Sequence, residues 1–505
     1  MRSLAVFSMS IYRSARAFRA VRRGCAAAAF SFVAIGCNAQ AAPQRAQAVA
    51  QMWVTTADRS SVLARVPDIA LSEAPRAAEI TVDVTRRYQE IVGFGAALTD
   101  ASAWLIENRM SPTQRAALLA DLFGPAPGLR LSFTRLTVGA SDFSLRDYSF
   151  DDVAKGHRDP GLSHFSIAPA RGAVLPLLKR MLAINPDLKV MASPWSAPAW
   201  MKTGQSMIGG TLARREYGVF ARYLVRYVDA FAAEGVPIYA LTVQNEPNFT
   251  PKDYPGMHLT ARQRARLIAG YLGPRLATRP AAPRILDWDH NWDVPQSPLA
   301  VLADSKASRY VAGVAWHCYA GDVSAQGRVH DAYPAKETWL TECSGGGWSS
   351  ESDALIWMAK NLIVGGTRQW AKGVLLWNLA LDENAGPHFG GCENCRGVVT
   401  IDSKTGAVTR NAEYYVLAHA SRFVRPGAVR IDSGASPEGI DQVAFRNADD
   451  GSRVLIVVNS GADVRAITVK DGDCGFSAAI PAKALATITW PDPALPPSGA
   501  PSVPE

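Results

Sequence analysis

Before residue 42 the chain has no acidic residue, yet it has six arginines, Arg2, Arg13, Arg16, Arg19, Arg22 and Arg23. Without them the formal net charge falls from +8 to +2, which argues against a nucleic-acid partner. Long apolar runs are also scarce. The stretch 26–35 is shorter than the roughly 20 residues that cross a bilayer, and no other segment is apolar enough to span one. His-x-x-x-His and His-x-His pairs are absent, which removes the usual zinc spacings. Gly-x-Ser-x-Gly is absent, which removes the nucleophile elbow of a serine hydrolase. Gly93-Phe94-Gly95 is only a two-glycine fragment of a nucleotide loop. Asp287, Asp289, His290 and His317 are the possible metal ligands, but their spacing is poor; no metal or cofactor is expected.

Cysteine is sparse, with seven in 505 residues. Cys25 and Cys37 fall in the leader. The remaining five (Cys318, Cys343, Cys392, Cys395 and Cys474) are odd in number, so at least one is unpaired or pairs between chains. Cys392 and Cys395 have redox or zinc spacing without a second pair, so a loop disulfide is expected. Cys318 and Cys343 each follow a proposed strand end, which brings them within reach of each other.

What is present begins with an export signal over 1–42: arginines, an apolar stretch, then small residues. Ala34-Ile35-Gly36-Cys37 is similar to a bacterial lipobox that would lipidate Cys37 and attach the protein to a membrane. Ala39-Gln40-Ala41 suits ordinary signal peptidase and release. The lipobox is favoured, and the expected location is exported: periplasmic, outer-membrane-anchored or secreted. Residues 38–50 read as an Ala/Gln-rich linker, and the Pro/Ser/Ala-rich tail 493–505 reads as disordered. The rest is ordinary globular composition, 48% hydrophobic and 19% charged. Thirteen Trp suit sugar binding, since flat aromatic faces stack on pyranose rings, although Trp also builds cores.

Strand-like runs at 91–94, 131–137, 188–193, 238–243, 284–288, 311–316, 338–341 and 373–377 alternate with helical patterns at 112–123, 170–184, 214–233 and 261–276, and at 353–364. Eight such units imply an α/β fold, a (β/α)8 TIM barrel over 88–425 whose last helix is 411–423. Strand patterns between 43 and 87 and between 426 and 492 imply a side β-sandwich domain built from both chain ends.

Two of the barrel strands end in glutamate. Leu241-Thr242-Val243-Gln244-Asn245-Glu246-Pro247 is a buried strand that Pro247 must terminate, leaving Glu246 at the C-terminal end where such barrels keep their chemistry. Thr338-Trp339-Leu340-Thr341-Glu342 runs into a glycine-rich turn and leaves Glu342 in the same place. Two glutamates on separate strand ends are what glycoside hydrolysis needs: one protonates the leaving oxygen, the other attacks the anomeric carbon or activates water. Other strand ends add Arg135 and Asp142, Trp195 and Trp200 in a proline-stiffened loop, Asp287 to Trp292, His317 and Tyr319, and Trp377 with Asn378.

The stretches Gly93 to Asp100, Arg135 to Ser144, Ser193 to Thr203, Gln244 to Pro247, Trp316 to Tyr319, Thr341-Glu342, Trp377 to Asp382 and Tyr414 to Arg425 resemble, in order, glycoside hydrolase family 30, the glucosylceramidase-like retaining β-glycosidases. The resemblance implies the barrel and side domain, Glu246 as acid/base and Glu342 as nucleophile. It implies that Asn245 bonds the sugar 2-hydroxyl and that Asp142, Trp195 and Trp377 bind sugar, with Asn378 beside them. Arg135, His317 and Tyr319 match residues that hold the nucleophile carboxylate, the last two within reach of substrate.

One loop, His388 to Gly397, departs from the lipid-active animal members and leaves the aglycone open. The expected function is therefore a glucosylceramidase- or β-glucosidase-like enzyme acting on a carbohydrate or glycolipid. The alternatives are an endo-β-1,6-glucanase, a β-xylosidase or fucosidase of the same family, or a surface lipoprotein that binds glycans without turnover.

Overall fold

The computed structural model describes residues 48–492. The proposed signal peptide, lipobox and C-terminal tail lie outside the described residues. Eight parallel strands close into a barrel: β1 Gly93–Ala97, β2 Phe133–Thr137, β3 Lys189–Ser193, β4 Ile238–Thr242, β5 Arg284–Asn291, β6 Val311–His317, β7 Glu337–Glu342 and β8 Ala371–Asn378. Each strand pairs with the next in sequence, and β8 returns to β1.

The lower interior is packed, not hollow. Phe133, Met191, Leu286, Trp339 and Leu375 meet there, one from each of five strands. The Phe133 ring lies 5.4 Å from that of Trp339. Gly95 lets β1 approach β2: a Cβ on it would lie 1.8 Å from the Phe133 carbonyl oxygen.

The helices form where their start signals stand. The helix Pro112–Phe123 begins with a Ser111/Gln114 capping box and proline in its first turn. The pattern over 261–276 is not one helix, however. Thr260 and Gln263 cap Ala261–Leu267, a π turn follows at Ile268–Leu272, and helix resumes at Gly273–Ala277. Pro274 lacks an N–H and its ring crowds the preceding turn, which accounts for the widening.

Both chain ends build the side sheets. Val49–Thr56 pairs antiparallel with Ala484–Trp490, so the linker expected over 38–50 ends earlier than its composition suggested, since Val49 and Ala50 belong to a strand. The long strand Ile80–Glu90 pairs parallel with Arg465–Asp471 at its start and antiparallel with Val429–Asp432 at its end, tying the two sheets together. Tyr88, Gln89 and Glu90 therefore belong to this strand and not to the barrel, which starts at Gly93. Cys474–Ile480 is a strand that the pattern reading passed over; its glycine, serine and alanines carry little β preference. At the seam, buried His419 bonds Thr55 and Thr487, one from each end of the chain.

Candidate active site

The C-terminal ends of six successive strands meet on one carboxylate. Asp289 of β5 is fully buried. Its Oδ2 accepts from Arg135 of β2 at 2.7 Å, Ser193 of β3 at 2.6 Å and Thr242 of β4 at 2.8 Å. Its Oδ1 accepts from Thr341 of β7 at 2.7 Å and faces His317 Nε2 of β6 at 3.1 Å. Burial alone would raise its pKa, but Arg135 and His317 outweigh that and hold the carboxyl far below the usual range. A bulge in β5 aims the side chain inward, with Trp288 and Asp289 both at positive φ, 78° and 52°.

Around this hub stand the two glutamates. Glu342 accepts from Arg135 Nη1 and from the Tyr319 hydroxyl, the latter at 3.0 Å. Glu246 sits just beyond β4 with φ at 45°, a left-handed conformation that a side chain occupies only when its surroundings enforce it. Its N–H donates to the Asp289 carbonyl at 3.0 Å. Its Oε1 lies 3.0 Å from His317 Nδ1 and 3.5 Å from His290 Nδ1. His317 Nδ1 also lies 3.8 Å from Glu342 Oε1, so one nitrogen reaches both carboxylates.

The charges follow from these contacts. Burial pulls the His317 pKa down, but Glu342, Asp289 and Glu246 outweigh it and push it up to about 9. Burial pushes Glu246 up, but the imidazoles of His290 and His317 against its carboxylate win and bring it to about 2. Both shifts run toward the charged pair, imidazolium beside carboxylate. Asp142 is raised to about 8, by burial first and then by Glu342 and Glu246.

A cleft of about 710 Å³ opens over the glutamates, lined among others by Asp142, Phe249, Tyr254, His290, Tyr319 and Trp377. The sequence-expected residues divide accordingly. Asp142, Tyr319 and Trp377 line the cleft with Glu246 and Glu342. Trp195 lies buried behind Trp377, its ring stacked at 4.9 Å, and Arg135 sits over Trp195 at 4.7 Å. Asn245 is buried, its Oδ1 accepting from Arg135 Nη2 at 2.8 Å. Asn378 is buried and accepts from Thr99, away from the cleft lining. His317 is fully buried, and its shorter contact is to Glu246 and not to Glu342. Trp200 is no platform: it is buried, with its indole N–H on the Asp151 carbonyl at 2.9 Å.

Tyr254, Phe249 and Trp348 were not singled out from sequence. They stand in loops, where no periodicity marks them. From sequence Asp289 is one polar strand-end residue among several and a possible metal ligand; nothing local marks it as the hub. Asp287 is taken by Arg264, at 2.8 Å. Among the described residues, Glu246, His290 and His317 are the ones whose ligand atoms gather, within 4.8 Å. His317 is a poor ligand, because a ring holding protons toward both Asp289 and Glu246 has no lone pair to give. Two disulfides border the site, Cys318–Cys343 and Cys392–Cys395, and Cys474 is free.

Residues 91–424 match the glycosyl hydrolase family 30 TIM-barrel domain, and residues 427–488 the family's beta sandwich domain. The chain belongs to glycosyl hydrolase family 30. It is a glycoside hydrolase and acts on carbohydrate. An endo-1,6-beta-D-glucanase of Neurospora crassa is 37% identical over 410 residues, 78% of this chain and 84% of that one. The lysosomal acid glucosylceramidase of Mus musculus is 28% identical, over 81% and 83% of the two chains. The solved structure of an endo-beta1,6-glucanase superposes with a TM-score of 0.81 at 33% identity, covering 88% of this chain and all of the other.

Proposed function

We propose that this family 30 enzyme is a retaining endo-β-1,6-glucanase. The observation that carries the substrate is the higher identity to an endo-1,6-beta-D-glucanase, 37% against 28% for a glucosylceramidase, over similar shares of the chain. The open cleft over the glutamates suits a polymer.

In this reading Glu342, gripped by Arg135 and Tyr319, attacks the anomeric carbon and forms a glycosyl ester. Glu246 gives its proton to the departing glucan oxygen. His317 holds that proton 3.0 Å away and passes it across as the site fills. Esterification removes the Glu342 charge. Glu246, ionised again, then takes a proton from the water that attacks the anomeric carbon and frees Glu342. One imidazole nitrogen reaching both carboxylates supports retention: it permits the roughly 5 Å separation of retaining enzymes and opposes the wide end of the roughly 6.5–9.5 Å inverting range.

The test is digestion of β-1,6-glucan by wild type and Glu342→Gln, with proton NMR of the first product. Internal cleavage giving a β-anomer first, and lost in the variant, is expected; an α-anomer first, or no cleavage of the glucan, overturns the proposal.

A second reading, a β-glucosidase that takes glucosylceramide, is supported by the mouse relative, and hydrolysis of glucosylceramide with glucan left intact would favour it. The glycan-binding reading without turnover is opposed by the presence of both glutamates and their donors in the cleft. We also propose export, supported by the arginine-rich leader and by the two disulfides, which persist in oxidising compartments. A signal-peptide fusion reporter tests it: export of the fusion is expected, and retention in the cytoplasm would refute it.

A further inference from the structure

Of the thirteen tryptophans, eleven are buried or half-buried and two are exposed: Trp348 at 56% and Trp357 at 44%. These two line the same cavity, about 540 Å³, together with Tyr319, Ser344 and Met358. Among the described residues, none that lines it is charged. Tyr319 and Trp348 also line the catalytic cleft, so the two spaces share a wall. That wall is one side chain thick at the reacting carboxylate, because the Tyr319 hydroxyl bonds Glu342 at 3.0 Å.

The platform is held in place. Trp348 follows the glycine turn after β7, where Gly345 and Gly346 pair with Arg396 and Cys395, and the Gly347 N–H donates to the Asn394 carbonyl at 2.8 Å. A Cβ on Gly346 would lie 2.1 Å from the Trp348 ring, so the indole packs directly on bare backbone. The Cys318–Cys343 disulfide ties the ends of β6 and β7 beneath it. Trp357 projects from the helix Glu351–Met358. Aromatic faces exposed to water at this density cost solvation unless a ligand covers them. Rigid indoles lose little freedom on binding, which favours stacking on the C–H faces of sugars.

We propose that this cavity is an additional glucan-binding subsite, in which Trp357 and Trp348 stack on glucose units of the same chain that is cut in the cleft. The proposal rests on the glucanase reading. An uncharged, aromatic lining fits a neutral polysaccharide. A 1,6-linkage has one more rotatable bond than a linkage to a ring hydroxyl, so the chain can bend past Tyr319 from one space into the other. Tyr319 and Trp348 border both spaces, so a chain that crosses their rim reaches from the cleft into the cavity.

The test compares Trp357→Ala and Trp357→Phe with wild type on long β-1,6-glucan and on an aryl β-glucoside too short to reach the cavity. For Trp357→Ala, kcat/KM on the glucan should fall by about tenfold, the worth of one stacking contact, mainly through KM. Aryl glucoside turnover should stay at wild-type level, which also reports a folded enzyme, and Trp357→Phe should recover most of the loss. Equal turnover of glucan by wild type and Trp357→Ala, or an equal fall on both substrates, overturns the subsite and leaves the glucanase reading standing. Loss confined to glucosylceramide, with glucan turnover intact, assigns the cavity to an acyl chain and overturns it too. If wild type leaves glucan intact, the substrate reading fails and the subsite fails with it.

Discussion

The guanidinium of Arg135 and the carboxylate of Asp289 lie 2.7 Å apart, and neither side chain is exposed. The same Arg135 grips Glu342, and the same Asp289 orients His317 against Glu246. One buried ion pair thus positions both glutamates from behind.

Asp289→Asn tests this. It leaves Arg135 short of a charge partner in a site without water access, and breaking a buried pair costs about 3–5 kcal/mol. Thermal unfolding should shift down accordingly. In the protein that still folds, kcat should fall by roughly 100-fold or more with a smaller change in KM, since the variant misplaces the reacting groups and leaves the cleft lining intact. Wild-type kcat would refute a positioning role.

Glu246 and Glu342 should separate by leaving group. Glu246→Ala should lower hydrolysis of β-1,6-glucan by about 10²–10⁴-fold, the usual worth of general acid catalysis. Activated aryl glucosides, whose leaving groups need no proton, should still form the glycosyl ester and show a burst. Glu342→Gln should lose both substrates. The reverse pattern would exchange the two roles.

The alkaline side of the pH profile should reflect Asp142 and His317. Burial and the two glutamates keep Asp142 protonated up to about pH 8, and the surrounding carboxylates keep the His317 proton up to about pH 9. Raising pH removes both protons and adds negative charge beside the glutamates. kcat/KM should therefore hold through neutral pH and fall above about pH 8, and Asp142→Asn should move the fall toward about pH 9. A limb unmoved in Asp142→Asn would contradict this.

His419 should govern part of the acid stability. Burial, and next Arg422, lower its pKa to about 3, whereas in the unfolded chain it titrates near 6.5. The unfolded state alone gains a proton as pH falls below about 6.5, so stability present above that pH is lost progressively toward pH 3. The melting-temperature gap between wild type and His419→Gln should narrow as pH is lowered from about 7 to about 5. A gap independent of pH would show that His419 does not titrate on unfolding.

Much was legible from sequence. Apolar runs with the right period marked all eight barrel strands, and Glu342 closes its strand as read, whereas β4 stops at Thr242 and leaves Glu246 in the loop beyond it. Hydrophobic period and backbone punctuation are local properties, so they can be read along one segment at a time. Lateral neighbours cannot. The five side chains on Asp289 are spread from Arg135 to Thr341, and only barrel closure with its strand register brings them together. Trp200 and Trp348 show the same limit. Trp200 reads as an aromatic loop residue, and nothing local marks Trp348. Trp200 finds a buried carbonyl 49 residues away, while Trp348 rests on glycine backbone facing solvent. Local pattern suffices to set the elements and the chemistry near their ends. The tertiary structure decided which carboxylate shares its proton with His317 and which aromatic rings are left open for a ligand, because both depend on distances between segments that local propensity does not encode.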